Sequence, residues 1–93
     1  MVRRSKLETC IDIMEIISRG VGKPTRIMYK ANLSWNPMQK YLSFLLDQEL
    51  IASKTRGERV RYEITDKGRR TLSYFRRVKE TLPLEVRRGI PQL

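Results

Sequence analysis

Apolar residues first recur at Leu7, Cys10, Ile11, Met14 and Ile17, the three- and four-residue spacing of one α-helical face. Ser5 precedes this stripe and Glu8 follows three residues later. In that pair the serine hydroxyl accepts from the Glu8 amide while the Glu8 carboxylate accepts from the Ser5 amide, a capping box. The pattern predicts a first helix of about 13 residues, ended by Gly20 and Gly22. Cys10 lies on the stripe and is expected to be a small core residue.

Lys23-Pro24 opens a second, short helix, since proline's missing amide is no loss at the first helical position. Ile27 and Ala31 face inward, one turn apart, while Arg26 and Lys30 look outward. The helix ends near Asn32, which tolerates the left-handed conformation. Leu33 fills a tight turn, and Ser34 is expected to cap a third helix whose first turn is Trp35-Asn36-Pro37. From Trp35 to Gln48 the helical wheel divides. Met38, Leu42 and Leu45 centre the apolar face, flanked by Trp35, Tyr41 and Leu46. Asn36, Gln39, Lys40, Ser43 and Asp47 lie opposite, and Phe44 sits off the stripe.

Beyond Leu50 the period changes from helical to two. Ile51–Thr55 and Val60–Ile64 flank Arg56-Gly57-Glu58-Arg59, a β-hairpin signal. Val60, Tyr62 and Ile64 share one face of the second strand, which turns Arg59 and Arg61 outward beside Arg56 at the tip. Thr65 caps a last helix that starts at Asp66-Lys67-Gly68 and stops before Pro83. Phe75, Val78 and Leu82 form a seam on it, suited to the first helix or to another chain. Residues 5–82 thus form one domain, and 83–93 a tail made sticky by Leu84, Val86, Ile90 and Leu93.

Composition narrows the chemistry. The 93 residues carry 20 Lys+Arg against 10 Asp+Glu, a net charge of +10. Residues 23–46 hold four cations and no acid, and 51–79 hold ten cations and three acids. Such clustering points to a polyanion, nucleic acid first. There is no histidine and one cysteine, which removes His-dependent acid–base chemistry, His-ligated metals and internal disulfides. With no glycine-rich phosphate loop either, no enzyme, cofactor or small-molecule ligand is indicated. No stretch is apolar enough to span a bilayer and no signal-peptide core is visible, so a cytoplasmic, nucleoid-associated protein is expected.

The element order, three helices, a hairpin and another helix, is that of a winged helix-turn-helix, an α+β fold that is mainly α. An α-helix fits the major groove of B-form DNA, and a hairpin beside it can lie on the backbone or minor groove. On that plan Asn36, Gln39, Lys40 and Ser43 face the bases. Lys23, Thr25, Arg26 and Lys30 hold phosphates from the second helix, and Arg56, Arg59 and Arg61 hold them from the wing. Arg69, Arg70, Arg76 and Arg77 are either a second phosphate stripe or the solvated back of the last helix.

The run Thr25-Arg-Ile-Met-Tyr-Lys-Ala-Asn-Leu-Ser-Trp35 carries a family resemblance. With it go Tyr41-Leu42, Leu45-Leu46, Leu50-Ile51, Tyr62-Glu63-Ile64-Thr65 and Lys67-Gly68. Together they resemble the archaeal winged-helix predicted transcriptional regulators, a family that includes small basic chromatin-associated proteins. The resemblance spans roughly residues 6–80. It implies double-stranded DNA binding through the third helix and the wing, in a transcriptional regulator or chromatin protein. It also implies a homodimer through the C-terminal helix, which is a long antiparallel coiled coil in the chromatin-type members. Here Pro83 limits that helix to about two heptads, and Pro37 and Met38 stand where polar residues are common. The alternative function is a protein–protein interaction module in a transcription-related assembly.

Overall fold

The computed structural model describes residues 4–82. The elements run α1 (Lys6–Ser18), α2 (Pro24–Ala31), α3 (Trp35–Asp47), β1 (Ile51–Arg56), β2 (Arg59–Ile64) and α4 (Asp66–Thr81). This is the winged-helix order the sequence predicts. The tail expected over 83–93 lies outside the described residues.

Local chemistry sets the boundaries. Both bonds of the Ser5–Glu8 capping box form, each 3.0 Å. Pro24 opens α2, and Asn32 closes it in the left-handed region at φ 56°. The Leu33 amide donates to Met28 O at 3.1 Å, so the chain turns into α3 within three residues. Ser34 holds the N-cap position of α3, but its hydroxyl makes no capping bond, contrary to expectation. Thr65 does cap α4, accepting from the Gly68 amide at 3.0 Å.

β1 and β2 pair antiparallel from Ile51↔Ile64 to Arg56↔Arg59. Each strand is one residue longer at the tip than the sequence suggests, leaving Gly57-Glu58 as a two-residue turn. Positive φ at the first central residue only, Gly57 at 58°, is the II′ signature.

One core joins all four helices and β1. Ile11, Ile13, Met14 and Ile17 of α1 meet Ile27 and Ala31 of α2, Met38, Leu42 and Leu45 of α3, Ile51 of β1 and Leu72 of α4. Two expectations for α1 are corrected. Leu7 is 61% exposed and Ile13 fully buried. The reason is enclosure: α1 packs against α2, β2 and α4, so its buried arc is wider than a single stripe, while its first turn projects beyond them. Thr9 is buried as well, its hydroxyl donating to Ser5 O at 3.0 Å.

Candidate nucleic-acid interface

The wing gathers the strongest positive charge. The register sets Lys54 opposite Arg61 and Arg56 opposite Arg59, so four cations share one face of a two-stranded sheet. Like charges directly across a sheet repel, and the only acid on that face to form an ion pair is Glu63, 3.2 Å from Lys54. Lys23, the residue before α2, joins these side chains around a shallow cleft of about 340 Å³. The start of α2 and the wing therefore form one basic surface.

Gly22 makes this junction possible. Its carbonyl accepts from the Tyr62 amide at 2.9 Å, and a Cβ there would stand 2.6 Å from Tyr62 O and 2.7 Å from Arg61 Cγ. Only a residue without a side chain admits β2 so closely. Arg61 is exposed, but its guanidinium is folded back to donate to Gly20 O at 2.9 Å rather than pointing freely outward. Arg56 and Arg59 have no hydrogen-bond or ion-pair partner among the described residues.

On α2, Thr25, Arg26 and Lys30 are exposed. Arg26 and Lys30 flank Tyr29, which is 80% exposed; one aromatic between two cations breaks no periodicity, so spacing alone does not mark it. On α3, Asn36, Lys40 and Ser43 are exposed and Gln39 is half-buried at the edge. Asn36 and Lys40 border a cleft shared with α1. The third-helix residues and the wing residues thus lie on separate local features, each turned to solvent. Trp35, expected at the core's edge, is 46% exposed, and Phe44 is 51% exposed.

Elsewhere several charges are paired. Asp12 pairs with Arg4 at 2.9 Å, Glu15 with Arg76 at 3.1 Å and with Arg19 at 3.5 Å, and Asp66 with Arg69 at 3.1 Å. That resolves half of the open question on α4: Arg69 and Arg76 are engaged within the fold, whereas Arg70 and Arg77 stay exposed. The acids of α1 bind the chain to itself and leave the cations of α2, with Arg56 and Arg59 at the wing tip, unopposed.

The apolar seam on α4 is divided between the core and solvent. Phe75 is half-buried against the core, with the Lys79 ammonium 5.3 Å from its ring centroid. Val78 and Leu82 remain half-exposed at 52% and 54%, joined one turn earlier by Tyr74 at 64%. The outward apolar ridge is therefore Tyr74–Val78–Leu82. Burial pushes the Cys10 thiol above its ordinary pKa, so it stays protonated at neutral pH. Among the described residues no helix is long and apolar enough to cross a membrane, and no group of three acidic or Cys side chains could hold a metal.

Comparison with known proteins agrees with this architecture. An uncharacterized protein of Methanocaldococcus jannaschii is 35% identical over 71 residues, 76% of this chain and 69% of its own. The crystal structure of Sso10a-2, a DNA-binding protein from Sulfolobus solfataricus, superposes with a TM-score of 0.69 at 29% identity, covering 97% of both chains. A protein of unknown function from Listeria innocua shares the fold at a TM-score of 0.73 and 20% identity; the match covers 90% of this chain and 60% of that longer one. The family described as winged helix-turn-helix matches residues 3–82, every element above included, and the chain belongs to it.

Proposed function

We propose that this protein binds double-stranded DNA as a transcriptional regulator or chromatin-associated protein of the nucleoid, with α3 in the major groove and the wing on the backbone or minor groove. The observation that carries the reading is the wing face, where Lys54, Arg56, Arg59 and Arg61 stand together beside Lys23 with one acid engaged among them. A folded protein gains nothing from that crowding of like charge, and a polyphosphate backbone relieves it. The likeness to Sso10a-2, a DNA-binding protein at 29% identity, supports the same reading.

In this reading Lys23, Thr25, Arg26, Lys30, Arg56 and Arg59 contact phosphates, and Tyr29 adds a hydroxyl to the α2 set. Arg61 braces the wing through Gly20. Asn36, Gln39, Lys40 and Ser43 face base edges, where Asn and Gln pair with adenine and Lys with guanine. The protein acts by binding and is not an enzyme. Titration of duplex DNA across salt concentrations tests it: neutralising five to eight phosphates gives a log–log slope of about −4.5 to −7. A slope near zero overturns the reading in favour of a protein-interaction module.

The ridge Tyr74–Val78–Leu82 supports a homodimer through α4. Val78→Glu places a charge at the centre of that ridge, and sedimentation should then show the dimer dissociation constant raised about tenfold or more. A species distribution identical to the parent's removes α4 as the interface.

A further inference from the structure

A cleft of about 610 Å³ lies between α1 and α3. Its walls follow helical ridges. Lys6 and Cys10 stand one turn apart on α1; Asn36, Lys40 and Phe44 form one row on α3, and Pro37 and Tyr41 the next. Its lining combines a thiol, a phenyl ring, a phenol and a proline ring with two ammonium groups and an amide. No acid lines it. Neither Lys6 nor Lys40 has an ion-pair or hydrogen-bond partner among the described residues. Phe44, 51% exposed on the otherwise polar half of α3, contributes to no core.

We propose that this cleft binds a small amphipathic anion, an aromatic or short aliphatic body carrying a carboxylate. Size and lining fit such a ligand: clefts of about 300–1,000 Å³ with apolar walls and a few polar groups are the usual form of small-molecule sites. The charge selects the class. A cation is repelled by both lysines, and a neutral apolar molecule leaves them unused. An anion places its body on Phe44, Tyr41 and Cys10 and its carboxylate between Lys6 and Lys40, with the Asn36 amide able to donate. A DNA backbone cannot fill the cleft, because phosphates gain nothing from a wall of phenyl and thiol. The ligand also covers Asn36 and Lys40, so it competes with duplex DNA; that consequence, unlike the binding itself, rests on the reading of α3 as the DNA-contacting helix.

The experiment uses the full chain, ¹⁵N-labelled, titrated with 2-naphthoate and separately with its neutral analogue naphthalene-2-carboxamide. Amide shifts should be confined to residues 6–10 and 36–44. Lys6→Gln and Lys40→Gln should each weaken naphthoate about three- to fivefold, the range of an exposed ion pair. Phe44→Ala, at a half-exposed position the core does not need, should weaken it about tenfold through lost apolar contact. The carboxamide should bind about tenfold less tightly than the acid, the size of a charge-assisted contact. Absence of shifts at millimolar naphthoate, or equal binding of acid and amide, overturns the proposal. So do cleft resonances of the free protein that move on dilution or on deleting residues 83–93, since a second copy or the chain's own segment is then the occupant. Naphthoate binding with duplex affinity unchanged supports the site and counts against α3 at the DNA. Intact duplex binding without naphthoate binding overturns the site and leaves the DNA reading standing.

Discussion

Arg59→Glu should weaken duplex DNA binding ten- to a hundredfold at low salt and, in the same protein, raise the melting temperature. The two effects have opposite signs for one reason. Arg59 faces Arg56 directly across the wing, a like-charge pair that costs the hairpin stability. Glutamate turns the pair into an attractive one, worth about 0.2–1 kcal/mol to folding. For DNA the change removes one phosphate contact, sets an acid against the backbone and draws Arg56 into an internal pair. Two cations are thereby lost, and the log–log salt slope should flatten by about 2 units. A protein whose wing serves only solubility would show the gain in stability and no loss of DNA. Equal loss of both would mean that the wing is held by interactions other than these charges.

The opposition between stability and binding follows from how charge is distributed. The acids Asp12 and Glu15 serve Arg4, Arg19 and Arg76, along the side of the molecule where α1 meets α4. Those exposed pairs are individually weak, but they take arginines out of circulation. Among the described residues, cations left without an ion pair include those of α2, Arg56 and Arg59 at the wing tip, Lys6 and Lys40 beside the α1–α3 cleft, and Arg70 and Arg77 on α4.

Most structure decided within a few residues is legible in the sequence, the unbonded Ser34 cap excepted. Ser5 with Glu8, Pro24, Asn32 and Thr65 fix helix ends by hydrogen bonds and backbone angles that span three or four positions. The inward rows of α2 and α3 follow because each of those helices buries one side only. Periodicity fails where contacts are distant. Ile13 is buried because α1 is enclosed by three elements, and no spacing within α1 records its neighbours. Arg61 alternates outward as the pleat demands, yet its guanidinium reaches Gly20, 41 residues back. Phe75 packs on the core while Tyr74 is exposed, a division that a heptad count within α4 does not contain. The cleft bordered by Lys6 and Lys40 exists only once two helices cross.

Gly68→Ala should unfold the protein at a markedly lower temperature, although alanine is the better helix former. At an exposed helical position the exchange gains about 1 kcal/mol. Gly68 is instead buried in the first turn of α4, where a Cβ would collide with the Leu50 carbonyl oxygen and stand 2.6 Å from Ile64 Cδ1. The side chain of Ile64 can rotate. The carbonyl cannot, since it already accepts from the Thr65 amide at 3.2 Å and from the Thr65 hydroxyl at 3.0 Å. Overpacking of this kind costs about 1–3 kcal/mol and here also strains the cap, so a net loss of about 2 kcal/mol is expected. At about 4–8 °C per kcal/mol for a chain of this length, the melting temperature falls by roughly 8–16 °C. Leu50 precedes β1 and Ile64 ends β2, so the strain falls on the base of the wing. Amide exchange at Ile51 and Ile64 should therefore accelerate more than exchange at Ile13 or Met14 in α1. A melting temperature at or above the parent's would show that α4 shifts away from the hairpin at little cost, and that the wing is not held by this contact.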